Sequence, residues 1–221
     1  MLPRVLEPEV MDTSAEAEDY DAMDHREVNQ RFADQFLNFL GGGPDRMLIL
    51  DVGAGTAQIP IEIVRRSPEC NVTAIDLAAH MLHIAGRNVH SAGLQDRIAL
   101  ELVDAKQMPY PDASFDAVVS NSIVHHIPEP LAALKEMRRV VKTGGVLFVR
   151  DLLRPTDEST VEHLVDLYAA GANDHQRSMF RDSLHAALTL EEVRELIAAV
   201  GLPAESATRT TDRHWTVAVR C

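Results

Sequence analysis

The chain has 221 residues, with 34 acidic and 21 basic side chains and a formal net charge of −13 at pH 7. This length suits one α/β domain with an added lid and is too short for two full domains. The acidic balance disfavours a nucleic-acid substrate and an anionic membrane surface, because both require a concentrated basic face. An acidic surface fits a cationic cofactor, and it serves solubility equally well.

The cysteines and the chain start indicate where the protein works. Cys70 and Cys221 lack the spacing of a metal or redox pair. The first residues contain no apolar signal core, and no run of residues approaches the length of a membrane span. We therefore expect a protein of the reducing cytoplasm that does not act at a membrane.

An acidic segment, residues 1–25, precedes a predicted amphipathic helix at 26–40. The apolar face of that helix is formed by Val28, Phe32, Phe36 and either Phe39 or Leu40. The run Gly41-Gly42-Gly43-Pro44 ends the helix and predicts a hinge. We expect an N-terminal segment at 1–43 and the main domain at 44–221.

The chain is organised around the stretch 47–58. Residues 47–52 are apolar, as in a parallel strand covered on both faces. Gly53 and Gly55 permit a sharp turn and leave no side chain between the backbone and a ligand. The helix predicted at 57–66 points its free N–H groups at the same place. A tight strand-to-helix turn without a ligand is the alternative.

Further strands follow at regular intervals. The next one, at 71–76, ends on Asp76, and in nucleotide-binding βαβ units an acid about 20 residues past the glycines accepts hydrogen bonds from ribose hydroxyls. Three more strands are predicted at 98–103, 115–120 and 144–151, with a helix at 131–141. The strand ends closing with Gly53, Asp76, Asp104 and Asn121 are expected to converge on one cleft.

In this order the motifs resemble a class I S-adenosylmethionine-dependent methyltransferase of the small-molecule type. The matching pieces are Leu50-Asp51-Val52-Gly53-Ala54-Gly55-Thr56-Ala57, Ile75-Asp76 with Met81-Leu82, Asp104-Ala105, Phe115-Asp116 through His125-His126-Ile127, and Leu134-Lys135-Glu136 through Lys142-Thr143-Gly144-Gly145. The resemblance covers residues 45–152. One departure is Ala57, where the family usually has a third glycine, and we expect the extra methyl group to tighten packing slightly.

The resemblance implies the fold and the cofactor. We expect a Rossmann-like, doubly wound, seven-stranded α/β sheet whose last strand is antiparallel, with an N-terminal helical lid and an insertion after strand 5 at about 152–188. S-adenosylmethionine is the expected cofactor and no metal is expected. The cofactor-binding residues implied are Tyr20, Asp51, Gly53, Ala54, Gly55, Thr56, Gln58, Asp76, Leu77, Met81, Asp104, Ala105, Asn121 and Ser122.

Some of these residues have alternative roles. Tyr20 resembles a tyrosine that touches the methionine end of the cofactor, but it could instead only pack within the lid. Leu77 and Met81 could bracket the adenine ring or belong to the core. Asp104 could accept from the adenine amino group while the Ala105 N–H donates to the ring, or it could cap a helix.

For the chemistry, His125 is the candidate general base, because it follows the fourth strand and matches a histidine that some plant-type O-methyltransferases use as base. The alternative is that it only lines the pocket or caps a helix. Asp151 could orient an acceptor or a histidine. His126 is expected to point elsewhere. Arg150 and Arg154 could bind an acceptor carboxylate, although ordinary ion pairing is the simpler role for each.

The remainder of the chain predicts a lid and a closing hairpin. Helices are expected at 159–170 and 175–187 in the insertion that the family uses for the acceptor. Thr189-Leu190-Glu191-Glu192 is a capping box for a helix that ends at Gly201. Strands at 203–208 and 214–220 complete the sheet.

Three other hypotheses are weaker. A cofactor-binding regulator or partner protein without turnover stays open because the base is uncertain. A nicotinamide oxidoreductase needs a third small residue where Gln58 stands. Nucleic-acid methylation is disfavoured because Ser120-Asn121-Ser122-Ile123 lacks the Pro-Pro-aromatic signature of enzymes that clamp a flipped base.

His80 and His83, three residues apart, have no third ligand nearby and are expected to be solvated.

Overall fold

The computed structural model describes residues 2–9, 13–23, 25–41 and 46–221. Seven strands of this part of the chain form one sheet: β1 (Met47–Val52), β2 (Cys70–Asp76), β3 (Ile98–Leu102), β4 (Phe115–Asn121), β5 (Val141–Leu152), β6 (Ala207–Arg209) and β7 (His214–Arg220). Their order is β3-β2-β1-β4-β5-β7-β6. Strands β1 to β5 pair in parallel, and β7 runs antiparallel to both β5 and β6. This is the doubly wound sheet with an antiparallel last strand that the sequence predicted.

Eight α-helices accompany the sheet in the described residues: α1 (Ser14–Ala22), α2 (Arg26–Leu40), α3 (Gln58–Arg66), α4 (Ala79–Ala92), α5 (Leu131–Val140), α6 (Glu158–Tyr168), α7 (Asp174–Ala186) and α8 (Leu190–Ala199). Successive side chains of a strand point to opposite faces. Accordingly, Ile49 of β1 packs among α2, α3 and α4, whereas its neighbour Leu50 packs among α5 and α8. The sheet is therefore covered on both faces, which explains the nearly continuous apolar run of β1.

The chain order creates one switch point in the sheet. From β1 the chain winds outward through β2 and β3, then returns to the other side of β1 as β4. In open α/β sheets, ligands bind beyond the carboxyl ends of the strands at such a point. The ends of β1 and β4 carry Gly53 and Asn121, so the candidate site lies where the topology favours it.

The insertion after β5 forms a separate lid of two helices. Val161, Leu164 and Leu184, from α6 and α7, pack with Leu152 in an apolar cluster of their own. At the base of the lid the Arg154 N–H donates to the Leu188 carbonyl at 3.0 Å. The insertion thus leaves and rejoins the domain at nearly the same place.

Some local predictions differ from the structure. The segment predicted as a strand at 203–208 is instead a 3-10 turn, Ala204–Ser206, followed by the short strand β6. Pro203 begins that turn and carries no N–H for a sheet, which shortens the edge strand. The capping box of Thr189 and Glu192 is present. Of the predicted hinge 41–44, only Gly41 is described, so the proposed boundary between 43 and 44 lies outside the described residues.

No helix within the described ranges combines the length and the apolar character needed to cross a membrane.

Candidate active site

The turn after β1 is built from three left-handed residues. Gly53, Gly55 and Ala57 have φ angles of 75°, 53° and 61°. A side chain at Gly53 would collide with Ile123, since a Cβ atom there would lie 2.1 Å from its Cγ2. The methyl group of Ala57 was expected only to tighten packing slightly. The structure adds a cost, because the left-handed backbone of Ala57 is about 1 kcal/mol less favourable than it would be for glycine. This strain is carried where the backbone must bend toward a ligand.

Asp76 fixes the turn from the end of β2. Its Oδ2 accepts the Gly55 N–H at 2.7 Å, and its Oδ1 accepts the Ala78 N–H at 2.9 Å. Burial raises the pKa of this carboxyl, although its backbone donors oppose the rise. A carboxylate has about four acceptor positions, so its backbone donors leave capacity for a ribose hydroxyl. The glycine turn and the predicted ribose-binding acid therefore lie side by side.

A group of acceptor atoms without partners surrounds the turn. Asp51 is buried, and burial together with Asp76 raises its pKa to about 8. Among the described residues, no hydrogen-bond partner reaches Asp51 Oδ2, Thr56 Oγ1 or Asn121 Oδ1. Buried polar atoms are normally satisfied. The pattern suits a ligand that brings positive charge and hydrogen-bond donors.

At the far end of the cleft lie Leu77, Met81, Asp104 and Ala105, the residues expected at the adenine. Met81 is buried and Leu77 is 39% exposed. Asp104 Oδ1 accepts the Lys106 N–H at 2.8 Å, so this carboxylate closes a turn and does not cap a helix. Its side chain nevertheless lines the cleft, so binding of adenine stays a prediction.

Tyr20 of α1 covers the glycine turn. A Cβ atom on Gly55 would lie 3.7 Å from the Tyr20 ring, and the ring contacts that of His25 at 5.0 Å between centroids. Burial and the nearby Asp76 and Asp51 raise the pKa of Tyr20 to about 12. The tyrosine is thus both packed in the lid and part of the cleft wall.

The cleft is large enough for more than one ligand. It has a volume of about 1390 Å³ and extends from Asp104 to the lid helices α6 and α7. A cavity of about 480 Å³ adjoins it on the other side of the turn, and among the predicted site residues it is lined by Tyr20, Asp51, Gly53, Ala54, Thr56, Gln58 and Asn121. Single small-molecule sites usually occupy about 300–1,000 Å³. Two molecules, a cofactor and an acceptor, fit this space.

His125 and Asp151 form a buried pair at the cleft wall. His125 Nδ1 lies 2.5 Å from Asp151 Oδ1, and Asp151 Oδ2 accepts the Val124 N–H. Burial alone would lower the pKa of His125, but Asp151 and Glu7 outweigh burial and the pKa is raised. The same attraction lowers the pKa of Asp151 against the effect of its own burial. Asp151 thus orients the histidine, one of the two roles predicted for it.

His126 is where the sequence prediction was wrong. It was expected to point away, but its ring is stacked on that of His125 at 4.1 Å between centroids and it lines the cleft. The two residues lie on the 3-10 turn Val124–His126, where neighbouring side chains do not alternate as they do in a strand. Both imidazoles therefore face the same carboxylate, Glu7.

Glu7 and Arg4 are functional candidates that sequence reasoning missed. Glu7 Oε1 lies 3.5 Å from His125 Nε2 and 3.0 Å from His126 Nδ1. Arg4 donates to the carbonyls of His125, Ile127, Pro128 and Ala186, which anchors the segment 2–9 across the cleft. No periodic pattern marks these two residues, so the sequence alone offered no signal for them.

The same cluster has the chemistry of a metal site. Glu7, His125 and His126 offer ligand atoms within 4.8 Å of one another. Two imidazoles and a carboxylate suit a first-row divalent cation. A cation on His125 Nε2 would occupy the atom that a base needs, so chelator belongs in any activity assay.

The two arginines differ in their partners. Arg154 pairs with Glu192 at 2.6 Å, the ordinary role that the sequence analysis allowed. Arg150 lines the cleft, and none of the ion pairs among the described residues includes it.

Comparison with known proteins identifies the family. The model of a methyltransferase domain matches residues 50–149. A malonyl-[acyl-carrier protein] O-methyltransferase from Geobacter sulfurreducens is 33% identical over 186 residues, 84% of this chain and 66% of that protein. The chain belongs to the class I S-adenosylmethionine-dependent methyltransferases.

Two further comparisons extend this result. A 27-O-demethylrifamycin SV methyltransferase from Amycolatopsis mediterranei is 28% identical over 173 residues, 77% of this chain and 60% of that protein. The fold matches an S-adenosylmethionine-dependent methyltransferase from Aquifex aeolicus with a TM-score of 0.66 at 18% identity, over 93% of this chain and 97% of that one. The chain spans 60% and 66% of the length of the two sequence relatives, so the acceptors in their names do not carry over to it.

S-adenosylmethionine is the cofactor of the family, and the site of this methyltransferase fits it. The unpartnered oxygens of Asp51, Thr56 and Asn121 suit an ammonium or sulfonium group, and the apolar Leu77 and Met81 suit a purine face. A cationic cofactor would also offset the cost of burying the carboxyl groups of Asp51 and Asp76.

We expect Asp76→Asn to weaken the binding of S-adenosylhomocysteine at least about tenfold, because hydrogen bonds to a charged group are replaced by weaker ones. Isothermal titration calorimetry measures this, with Asp96→Asn, a change at an exposed loop position, as the matched control. Equal affinities in the Asp76 variant and the wild type would contradict the assignment.

Proposed function

We propose that this chain transfers the methyl group of S-adenosylmethionine to a small-molecule acceptor, with His125 as the general base. The observation that carries the proposal is the buried His125–Asp151 pair on the wall of the same cleft as Asp76 and the glycine turn. The names of two relatives specify methylation at oxygen, and a hydroxyl is the oxygen acceptor that needs a general base.

Orientation of the base follows from its hydrogen bond. Asp151 holds Nδ1 of His125, so that Nδ1 carries a proton and Nε2 is the atom left for proton transfer. Nε2 takes the proton of the acceptor hydroxyl as the oxygen attacks. Asp151 then stabilises the imidazolium that forms, because the pair is buried.

The cofactor contributes a methyl group on a cationic sulfur, which leaves as a neutral thioether. The chain has to hold the acceptor oxygen in line with that methyl group and exclude water from the site, an orientation effect that is worth several kcal/mol, up to about 10. The lid helices α6 and α7 close the cleft above the base. Segment 2–9 crosses the cleft beside it, where Glu7 lies near His125.

The alternative of a binding protein without turnover predicts a different result in one assay. Labelled S-adenosylmethionine is incubated with the protein, chelator and a panel of phenols, hydroxy acids and amines. Methyl transfer to any compound supports the proposal. Binding of cofactor without transfer to any member supports the regulator.

His125→Asn should lower kcat about 10²- to 10⁴-fold, the usual contribution of a general base, while binding of S-adenosylhomocysteine is unchanged. The measurement is steady-state kinetics with the best acceptor of the panel, and His83→Asn on the exposed face of α4 is the control. Full activity of the His125 variant would show that this residue only lines the pocket.

The pH dependence tests the electrostatics of the base. The groups facing His125 are Asp151 and Glu7, which raise its pKa, Arg4, which lowers it, and the stacked ring of His126. Since only the neutral imidazole accepts a proton, kcat/KM should rise with pH through an inflection above about 6.5, the ordinary value.

Glu7→Gln removes one of the two raising charges, so this inflection should move to lower pH. Glu9→Gln is the control, because the same change of charge is then made on the same segment, where Glu9 pairs with Lys106. An unmoved or upward-shifted inflection in the Glu7 variant would contradict His125 as the titrating group.

A further inference from the structure

Three arginines line one end of the cleft in a chain whose net charge is −13. Arg31 pairs with Glu27, and Arg213 stacks on the Tyr168 ring with its guanidinium carbon 3.2 Å from the ring centroid. Neither Arg150 nor Arg213 pairs with a carboxylate among the described residues, and Arg150 is the more deeply buried of the two. This end of the cleft is therefore positive against an acidic background.

Arg150 is held in place from several sides. It is 4% exposed, its Nε donates to Thr216 Oγ1 at 3.0 Å, and a second nitrogen donates to Gln35. The guanidinium lies 5.5 Å from the ring centroid of Phe32 and 5.8 Å from that of Phe148. The planar fork is thus fixed in one orientation before any ligand arrives, which suits two-point binding of a carboxylate.

Within the part of the chain that the structure describes, no carboxylate pairs with Arg150. Burial lowers its pKa to about 10, and Arg31 acts in the same direction, yet the group stays protonated at neutral pH. His214 nearby adds no charge, because burial and the cations Arg213 and Arg150 lower its pKa to about 4. A buried cation without a counter-charge is costly, and such groups are normally paired.

The position of Arg150 points to the acceptor as the source of the missing charge. The residues expected to bind the cofactor end or follow β3, β2, β1 and β4, and β5 is the next strand in the sheet. Strands lie about 4.8 Å apart, so Arg150 is displaced from the cofactor toward the acceptor. Asp151 follows Arg150 directly on β5 and points to the opposite face, where it orients His125.

We propose that Arg150 binds a carboxylate of the methyl acceptor and that the acceptor is therefore a hydroxy acid, anchored by its carboxylate at Arg150 and methylated on the hydroxyl beside His125. This rests on the proposed function, which it deepens by naming the class of acceptor. Arg31 and Arg213 strengthen the attraction at longer range.

Matched pairs of probes test this on the full chain saturated with S-adenosylhomocysteine. The acids are 4-hydroxybenzoate and 1-hydroxy-2-naphthoate, and their partners are the corresponding carboxamides, which have the same shape and no charge. Wild-type protein should bind the acids about tenfold more tightly or better, as expected for hydrogen bonds to a charged group. Arg150→Gln should abolish this preference, and Arg150→Lys should retain part of it.

Arg220→Gln is the control for charge, because Arg220 lies at the other end of the neighbouring strand β7 and outside the cleft. It should leave the preference for acids unchanged. Equal binding of acids and amides by the wild type, including no binding of either, would overturn the proposal. A loss of the preference in the Arg220 variant as large as in the Arg150 variant would also overturn it.

The methionine end of the cofactor also carries a carboxylate that Arg150 could bind. A second binding experiment distinguishes this carboxylate from that of the acceptor. Arg150→Gln should bind S-adenosylhomocysteine and 5′-methylthioadenosine, which lacks the amino-acid part, as well as wild type does. A loss confined to S-adenosylhomocysteine would assign Arg150 to the cofactor and overturn the proposal. If the wild type bound neither nucleoside, the proposed function would fail. The preference for acids over amides would then be measured on the protein without S-adenosylhomocysteine.

Discussion

The hydrogen bond from the Gly55 N–H to Asp76 is the contact on which the site depends. It is 2.7 Å long and joins the turn after β1 to the end of β2. The turn has left-handed residues at Gly53, Gly55 and Ala57, and this bond, together with the Gly53 and Ala54 N–H groups on the Ile75 carbonyl, holds it in place. The same carboxylate is the predicted partner of the ribose. If Asp76 binds the ribose as predicted, one side chain both stabilises the turn and binds the cofactor, which would couple the fold to binding.

Charge is distributed unevenly around this centre, and the distribution follows from strand alternation. On β5, Asp151 points to the face of His125 and Arg150 to the face of α2. A protein of net charge −13 thus presents an oriented histidine and a buried cation within one cleft. The N-terminal segment adds Glu7 beside this histidine, so that the charge state of His125 depends on a residue far away in the sequence.

Much of the scaffold could be predicted because its signals are local. The bounds of β1 and α2 matched, since a buried parallel strand is a continuous apolar run and the helix has a clear apolar face. The role of Glu7 could not be predicted, because its contact with His125 joins distant parts of the chain and follows no period. The predicted orientation of His126 was wrong because the residue lies on a 3-10 turn, where neighbouring side chains do not alternate between opposite faces. The sequence could not show that Arg154 forms an ion pair and Arg150 does not, because this depends on the tertiary positions of their partners.

A crystal structure of the protein with S-adenosylhomocysteine tests the central claim most directly. The account predicts that the ribose hydroxyls bind Asp76 next to Gly55, that the adenine lies between Leu77 and Met81, and that the sulfur faces the side of the cleft where His125 Nε2 lies. A nucleoside bound away from Asp76, or a sulfur that faces away from His125, would contradict it.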